Sequence, residues 1–166
     1  LSEEEFLNLP EAPGKQELLD GELIVQPAPK YTHHELTDRL RDLLRTALDR
    51  SRVWTEMPYH LRMGRWLTPD VSVSWPDQTI VDDWLQGSPM VAVEIASGGN
   101  TPEQLEAKTA AYLEHGAAEV WVIYPKTRSM LISRQGGSVL RVDGTGDYRC
   151  DLIGVTVRPE ERTAAG

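Results

Sequence analysis

Pro69-Asp70-Val71-Ser72-Val73-Ser74-Trp75 and Val91-Ala92-Val93-Glu94-Ile95-Ala96 decide how this chain folds. In the first stretch Val71, Val73 and Trp75 alternate with Asp70, Ser72 and Ser74. In the second Val91, Val93 and Ile95 alternate with Ala92, Glu94 and Ala96. Both have the period of two that marks a strand, so each acid points to the face shared by its small neighbours. If the strands pair, Asp70 and Glu94 stand together among Ser and Ala, with room for a hydrated ion or a phosphate.

A lysine is brought to the same place by the segment that follows. Thr101-Pro102-Glu103-Gln104 has the pattern of a helix start, with Thr as N-cap, Pro at the first helical position and Gln closing a capping box, and Gly116 follows the last turn. A crossover helix runs back along its strand. Glu94 lies about 7 Å before the strand end at strand rise, and Lys108 about 9 Å into the helix at helical rise, so the two are level. Lys108 also shares a helix face with Leu105 and Tyr112, which turns it toward the sheet.

Outward from this centre, residues 2–9 have capping-box spacing at Ser2 and Glu5 and end at Pro10, which predicts a short helix. Asp20-Gly21 between two apolar runs predicts a two-residue hairpin turn, with Glu22 opening its second strand. Leu36, Leu40, Leu43, Leu44, Ala47 and Leu48 form the stripe of a helix capped by Thr32 and reaching about Arg50. Residues 53–62 alternate as one strand interrupted at Pro58, and Val81-Asp82-Asp83-Trp84-Leu85 reads as a short surface helix. The apolar run Glu119-Val120-Trp121-Val122-Ile123-Tyr124 predicts a strand buried on both faces, followed by an antiparallel meander of short strands around Met130 to Ser133, Val139 to Val142 and Leu152 to Val157. The middle of the chain is thus αβββαβ, in an α/β (mixed α+β) fold. A single domain is expected over residues 1–158, with residues 159–166 as a frayed tail.

The chain has 166 residues, 40% hydrophobic and 26% charged, a size and composition that suit one globular domain with a proper core. Its single cysteine, Cys150, excludes an intramolecular disulfide and any cysteine-rich zinc site, and with no apolar run near the roughly 20 residues of a membrane span the expectation is a cytoplasmic protein. A net charge of −9 argues against nonspecific coating of nucleic acid but leaves room for a local site. Arg39, Arg41, Arg45, Arg50, Arg52, Arg62 and Arg65 could form a phosphate-facing patch or pair with Asp38, Asp42 and Asp49 on a solvated face. There is no glycine-rich phosphate loop, Gly-x-Ser-x-Gly elbow, His-Glu-x-x-His helix or cysteine nucleophile with a histidine partner. A glycosidase carboxylate pair would leave the lysine unexplained.

The ordered set Glu17-Leu-Leu-Asp-Gly-Glu22-Leu, His34, Pro69-Asp70-Val, Val91-Ala-Val-Glu94-Ile-Ala-Ser97, Lys108 with Tyr112, and Gly116 before Glu119-Val-Trp121 resembles the Uma-two family of restriction endonucleases, in the PD-(D/E)XK nuclease superfamily. The resemblance implies a restriction-endonuclease-like mixed sheet flanked by helices, a divalent-metal nuclease site, DNA as substrate and a homodimer. The lysine that the superfamily places two residues after the second acid would be at position 96, which is alanine. In proteins similar to this one it comes from the next helix, here as Lys108.

The resulting expectation is a Mg²⁺- or Mn²⁺-dependent DNA endonuclease. Asp70, Glu94 and the Ile95 carbonyl would bind the metal, Lys108 would stabilise the transition state, and Glu22 would be a further acid, as its family position implies. His34 is a candidate for touching substrate, whereas His33 is expected to be exposed or structural, and Tyr112 and Trp121 core. Lys108→Met is expected to keep the fold while abolishing cleavage. The competing reading is a nuclease-like binding or assembly module that cuts nothing; a third, hydrolysis of a small phosphodiester, suits the charge but has no motif behind it.

Overall fold

In the computed structural model, which describes residues 1–159, the two acid-bearing segments are neighbouring strands. β6 (Val71–Val73) pairs antiparallel with β9 (Val91–Ile95), with Val71 opposite Val93 and Ser72 opposite Ala92. Continuing that register sets Asp70 opposite Glu94, on one face. The same sheet contains β3 (Val53–Thr55), β10 (Glu119–Tyr124), β11 (Ser129–Arg134) and β12 (Val139–Asp143), in the order β12-β11-β10-β9-β6-β3. Only β9 and β10 are parallel in it, and the crossover between them is α3 (Pro102–Glu114), whose Thr101 and Gln104 form the expected capping box. With α2 (Tyr31–Arg45) in front of β3, this sheet has the order α2-β3-β6-β9-α3-β10. That is the αβββαβ core; of the expected meander the first two strands, β11 and β12, continue antiparallel from β10, whereas residues 152–157, expected as its third strand, do not join this sheet.

A second sheet is assembled from what lies between and before those strands. Its order is β2-β1-β5-β4-β8-β7, from β1 (Lys15–Leu19), β2 (Glu22–Gln26), β4 (Tyr59–Arg62), β5 (Arg65–Leu67), β7 (Ile80–Val81) and β8 (Trp84–Gln86). Two expectations are corrected here. Residues 53–62 are two strands in different sheets, because Glu56 adopts a left-handed φ of 52° and the chain turns before Pro58. Residues 80–86 form a hairpin instead of a helix: Asp82 and Asp83 have φ of 51° and 69°, the paired positive values of a tight hairpin turn. Asp20-Gly21 makes the turn expected of it, with φ of 53° and 84°. α2 begins at Tyr31 without the side-chain cap read at Thr32, and ends at Arg45. The chain closes with a small hairpin, β13 (Tyr148–Cys150) against β14 (Val155–Val157), while α1 (Glu3–Leu7) carries the expected Ser2/Glu5 capping box. Residues 160–166, where the tail was expected, lie outside the described residues. Among the described residues no helix is long and apolar enough to cross a membrane.

The acid-bearing sheet is the middle layer. One face packs Val71, Val73, Val91, Val93 and Ile95 against Leu36, Leu40 and Leu44 of α2. The other face presents Ala92 and Val120 to Tyr59 and Leu67 of the second sheet and to Ala111 and Tyr112 of α3. Asp70 and Glu94 therefore lie between layers, where a charge needs partners. Leu40 is 1% exposed. Its replacement by Ala is expected to cost about 2–5 kcal/mol in urea unfolding, with little direct effect on any chemistry.

Candidate active site

The ionisable groups between the layers form two connected levels. The deep level is Glu17 from β1, Glu94 from β9 and Lys108 from α3, each at most 2% exposed. Lys108 is inside because the α3 face that carries it also carries Leu105, Ala111 and Tyr112, all buried. Its Nζ donates to Glu17 Oε1 at 2.9 Å and to Glu94 Oε2. Glu17 Oε2 also accepts from the Thr68 amide at 2.8 Å, and Gln26 Nε2 approaches its Oε1 at 3.4 Å. Glu94 Oε1 is buried with no hydrogen-bond partner.

The outer level is built on Asp70. Its Oδ2 accepts from the Ile95 amide at 2.7 Å, which ties the end of β9 to the residue before β6. Its Oδ1 faces Lys15 Nζ at 2.9 Å and His33 Nε2 at 3.2 Å, and Glu56 Oε2 lies 3.9 Å from the same ammonium. Gly14 lets the start of β1 run this close: a Cβ there would sit 1.9 Å from the Gln26 carbonyl oxygen. Lys15, His33, Glu56, Asp70 and Ile95 line a cleft of about 930 Å³. Glu17, Glu94 and Lys108 are not among its lining residues.

The two levels are electrostatically distinct. For Glu94, burial outweighs the attraction of Lys108 and Lys15 and pushes the carboxyl up to about 7, with repulsion from Asp70 and Glu17 adding to it. For Asp70 burial acts in the same direction, but the Lys15 ammonium, His33 and the Ile95 amide overcome it and hold the carboxyl well below the usual range. The hydrogen bond to Asp70 raises His33 against its partial burial.

Three buried carboxylates, Glu17, Asp70 and Glu94, face two ammonium groups, the buried Lys108 and Lys15, whose side chain is 9% exposed, so that one negative charge is in excess whenever Glu94 is ionised. His33, Glu56 and Asp70 each offer a ligand atom within 4.8 Å of the others, and Glu94 Oε1 is unpartnered. Excess negative charge, a convergent donor set and a free carboxylate oxygen fit a divalent cation.

The expected site residues are thus distributed unevenly. Asp70 and Ile95 line the cleft, the latter touching Asp70 through its amide, while Glu94 and Lys108 meet each other one level deeper. Glu22 does not join them. It shares the face of Glu17 but sits opposite Leu19, beside the hairpin turn and exposed, about 7 Å further along the strand. His34 is exposed, and it is His33 that enters the cleft. The arginines read as a possible phosphate patch are largely engaged within the chain: Arg41 with Asp38 and Asp42, Arg45 with the Val53 carbonyl, Arg52 with the Ser74 carbonyl, and Arg65 with Asp20 and Glu114.

Residues 3–147 match the model of Uma2, described as putative restriction endonuclease. The chain belongs to the Uma2 family. Its fold is that of a solved structure described as a putative nuclease belonging to DUF820 from Anabaena variabilis ATCC 29413. The likeness has a TM-score of 0.87 over 98% of this chain and 97% of that one, at 18% identity. No curated protein matches. In this Uma2 chain four side chains at the site were given no role there from sequence: Lys15, Glu56, Glu17, which entered only as part of the family motif, and His33, which was expected to be exposed or structural. His33 had a signal, since it stands three, four and seven residues before the buried Leu36, Thr37 and Leu40, on the inward stripe of α2. Lys15 and Glu17 share one face of β1 by the period of two. Glu56 reaches the cleft from the left-handed turn, which has no signature in its residue types.

Proposed function

We propose that the chain is a metal-dependent endonuclease that hydrolyses DNA phosphodiester bonds in the cleft beside Asp70. The observation that carries this reading is the convergence of His33, Glu56 and Asp70 within 4.8 Å in a chain of a nuclease family. Asp70 and Glu56 would hold the ion through carboxylate oxygens and His33 through Nε2, while Glu94, on the strand paired with β6, keeps an unpartnered oxygen. A divalent ion held there would acidify a bound water and offset charge on the scissile phosphate. An imidazole beside two carboxylates shifts preference from Mg²⁺, which favours all-oxygen shells, toward Mn²⁺.

Lys108 has a different part from the one its family position implies. It is fully buried and does not line the cleft, so it holds Glu17 and Glu94 in place instead of touching a phosphate. The homodimer implied by the resemblance belongs to this reading, and a monomer mass by light scattering would remove it.

The test is plasmid cleavage in Mn²⁺, Mg²⁺ and EDTA. Cleavage is expected to be fastest in Mn²⁺ and absent in EDTA. Asp70→Asn should lower it on the order of a hundredfold or more and remove Mn²⁺ binding by titration calorimetry. Should the folded wild type cut neither duplex nor single-stranded DNA, the binding-module reading takes over; the alanine at position 96 and the sealed Lys108 favour it.

A further inference from the structure

Three lysines line the cleft, and the one that comes from β1, Lys15, is the least exposed; Lys30 and Lys126 are exposed at its rim. The Lys15 side chain is 9% exposed, and its ammonium lies 2.9 Å from Asp70 Oδ1 and 3.9 Å from Glu56 Oε2. Burial opposes its charge, yet four carboxylates more than compensate, with Glu94 exerting the strongest pull, then Asp70, Glu17 and Glu56. The ammonium is thus held among the acids that a metal ion would use. On Asp70, Oδ1 is already shared by Lys15 and His33, and Oδ2 accepts from the Ile95 amide. A cation that binds through Oδ1, the oxygen facing His33 and Lys15, competes with the Lys15 ammonium for it.

Lys15 is suited to be the one that leaves. Its backbone is fixed in the β1 ladder opposite Gln26, whereas its ammonium is a point charge on a four-carbon stem with freely rotating donors. The Ile95 amide is part of a central strand, and His33 is itself a metal ligand type.

Resting on the metal-site reading above, we infer that Lys15 is a resident counter-cation: it competes with the metal ion for Asp70 and, once displaced, faces the phosphate in the cleft. It neutralises the acids while no ion is bound, which weakens apparent metal affinity. When an ion takes Asp70, Lys15 is the buried lysine of the site with access to substrate, since Lys108 is sealed below.

The inference is tested by titrating Mn²⁺ into wild type, Lys15→Met, Lys15→Arg and Asp70→Asn by calorimetry, and by single-turnover plasmid cleavage at saturating Mn²⁺. Lys15→Met keeps the length of the stem without its charge. It is expected to bind Mn²⁺ about tenfold tighter or more, yet to cleave at least about tenfold more slowly. Lys15→Arg keeps the competing charge and should bind no more tightly than wild type. If Lys15→Met does not fold in the absence of metal, Lys15→Gln, which keeps a neutral donor to Asp70, is titrated in its place with the same expectation. Equal or weaker Mn²⁺ affinity on removing the charge overturns the competition, while Mn²⁺ binding that Asp70→Asn abolishes leaves the metal site standing. Unchanged cleavage in the variant overturns the phosphate contact. If neither wild type nor the Lys15 variants bind Mn²⁺, the metal-site reading and this inference fall together.

Discussion

Lys108→Met is expected to destabilise the protein by about 3–5 kcal/mol at neutral pH, in urea unfolding without metal, because it strands two buried carboxylates. Methionine preserves the packing of the stem among Leu105, Ala111 and Tyr112. It cannot replace the ammonium that bonds both Glu17 and Glu94, which are themselves at most 2% exposed. Glu94, already raised by burial, would then hold a proton in the folded state that it loses in the unfolded chain. Stability of the variant should accordingly rise as pH falls from neutral toward the ordinary carboxylate range. Adding Glu94→Gln to Lys108→Met should recover a good part of the loss by removing one of the stranded charges. A cost below about 1 kcal/mol would mean that Lys108 is not the partner these acids depend on. The sequence alone led to an expectation of kept packing with only a slight loss of stability, and the depth of the ion pair raises the expected cost.

The same depth explains what the sequence could and could not reveal. Asp70 and Glu94 were legible because small residues alternate with them on strands whose other face is Val, Val and Ile. Lys108 was legible because helical spacing ties it to Leu105 and Tyr112. Polar alternation, however, is ordinarily read as a solvent-facing side. In β1 that reading fails, since Glu17 and Leu18 point to opposite faces and both are fully buried. A strand covered on both faces with a lysine and a glutamate on one of them looks, in sequence, like an edge. Residues 53–62 failed for a related reason: periodicity reports which way side chains point, but not which sheet the strand joins. The β7-β8 hairpin was hidden because its turn is Asp82-Asp83, without the glycine that marks such turns. Glu22 opens the second strand just after the turn, as its sequence position implies, and that place keeps it exposed and away from the buried acids although it shares the face of Glu17.

Glu94→Gln is expected to separate chemistry from stability in the opposite sense. The amide keeps the shape of the side chain and an oxygen that accepts from Lys108, while Glu17 still supplies that lysine with a carboxylate at 2.9 Å. In wild type without metal, burial raises Glu94 from an ordinary 4.5 to about 7, so the folded protein retains a proton that the unfolded chain releases. The contribution of Glu94 to stability is therefore fully present below about pH 4.5 and is lost as pH rises through about 7, a difference of about 3 kcal/mol for this group. Asp70 works the other way: its lowered carboxyl contributes stability above the ordinary carboxylate range that is lost as pH falls below it. Glutamine at position 94 carries no such penalty. In EDTA at pH 8 the variant should melt at or above the wild-type temperature, and its advantage should shrink toward pH 5, where Glu94 of the wild type is protonated. Cleavage in Mn²⁺ should nevertheless fall on the order of a hundredfold, because the variant lacks the negative charge carried on the strand paired with the Asp70 segment. A variant that melts well below wild type at pH 8 would show that the ionised Glu94–Lys108 pair outweighs its burial cost, and one that cleaves at the wild-type rate would remove Glu94 from the site.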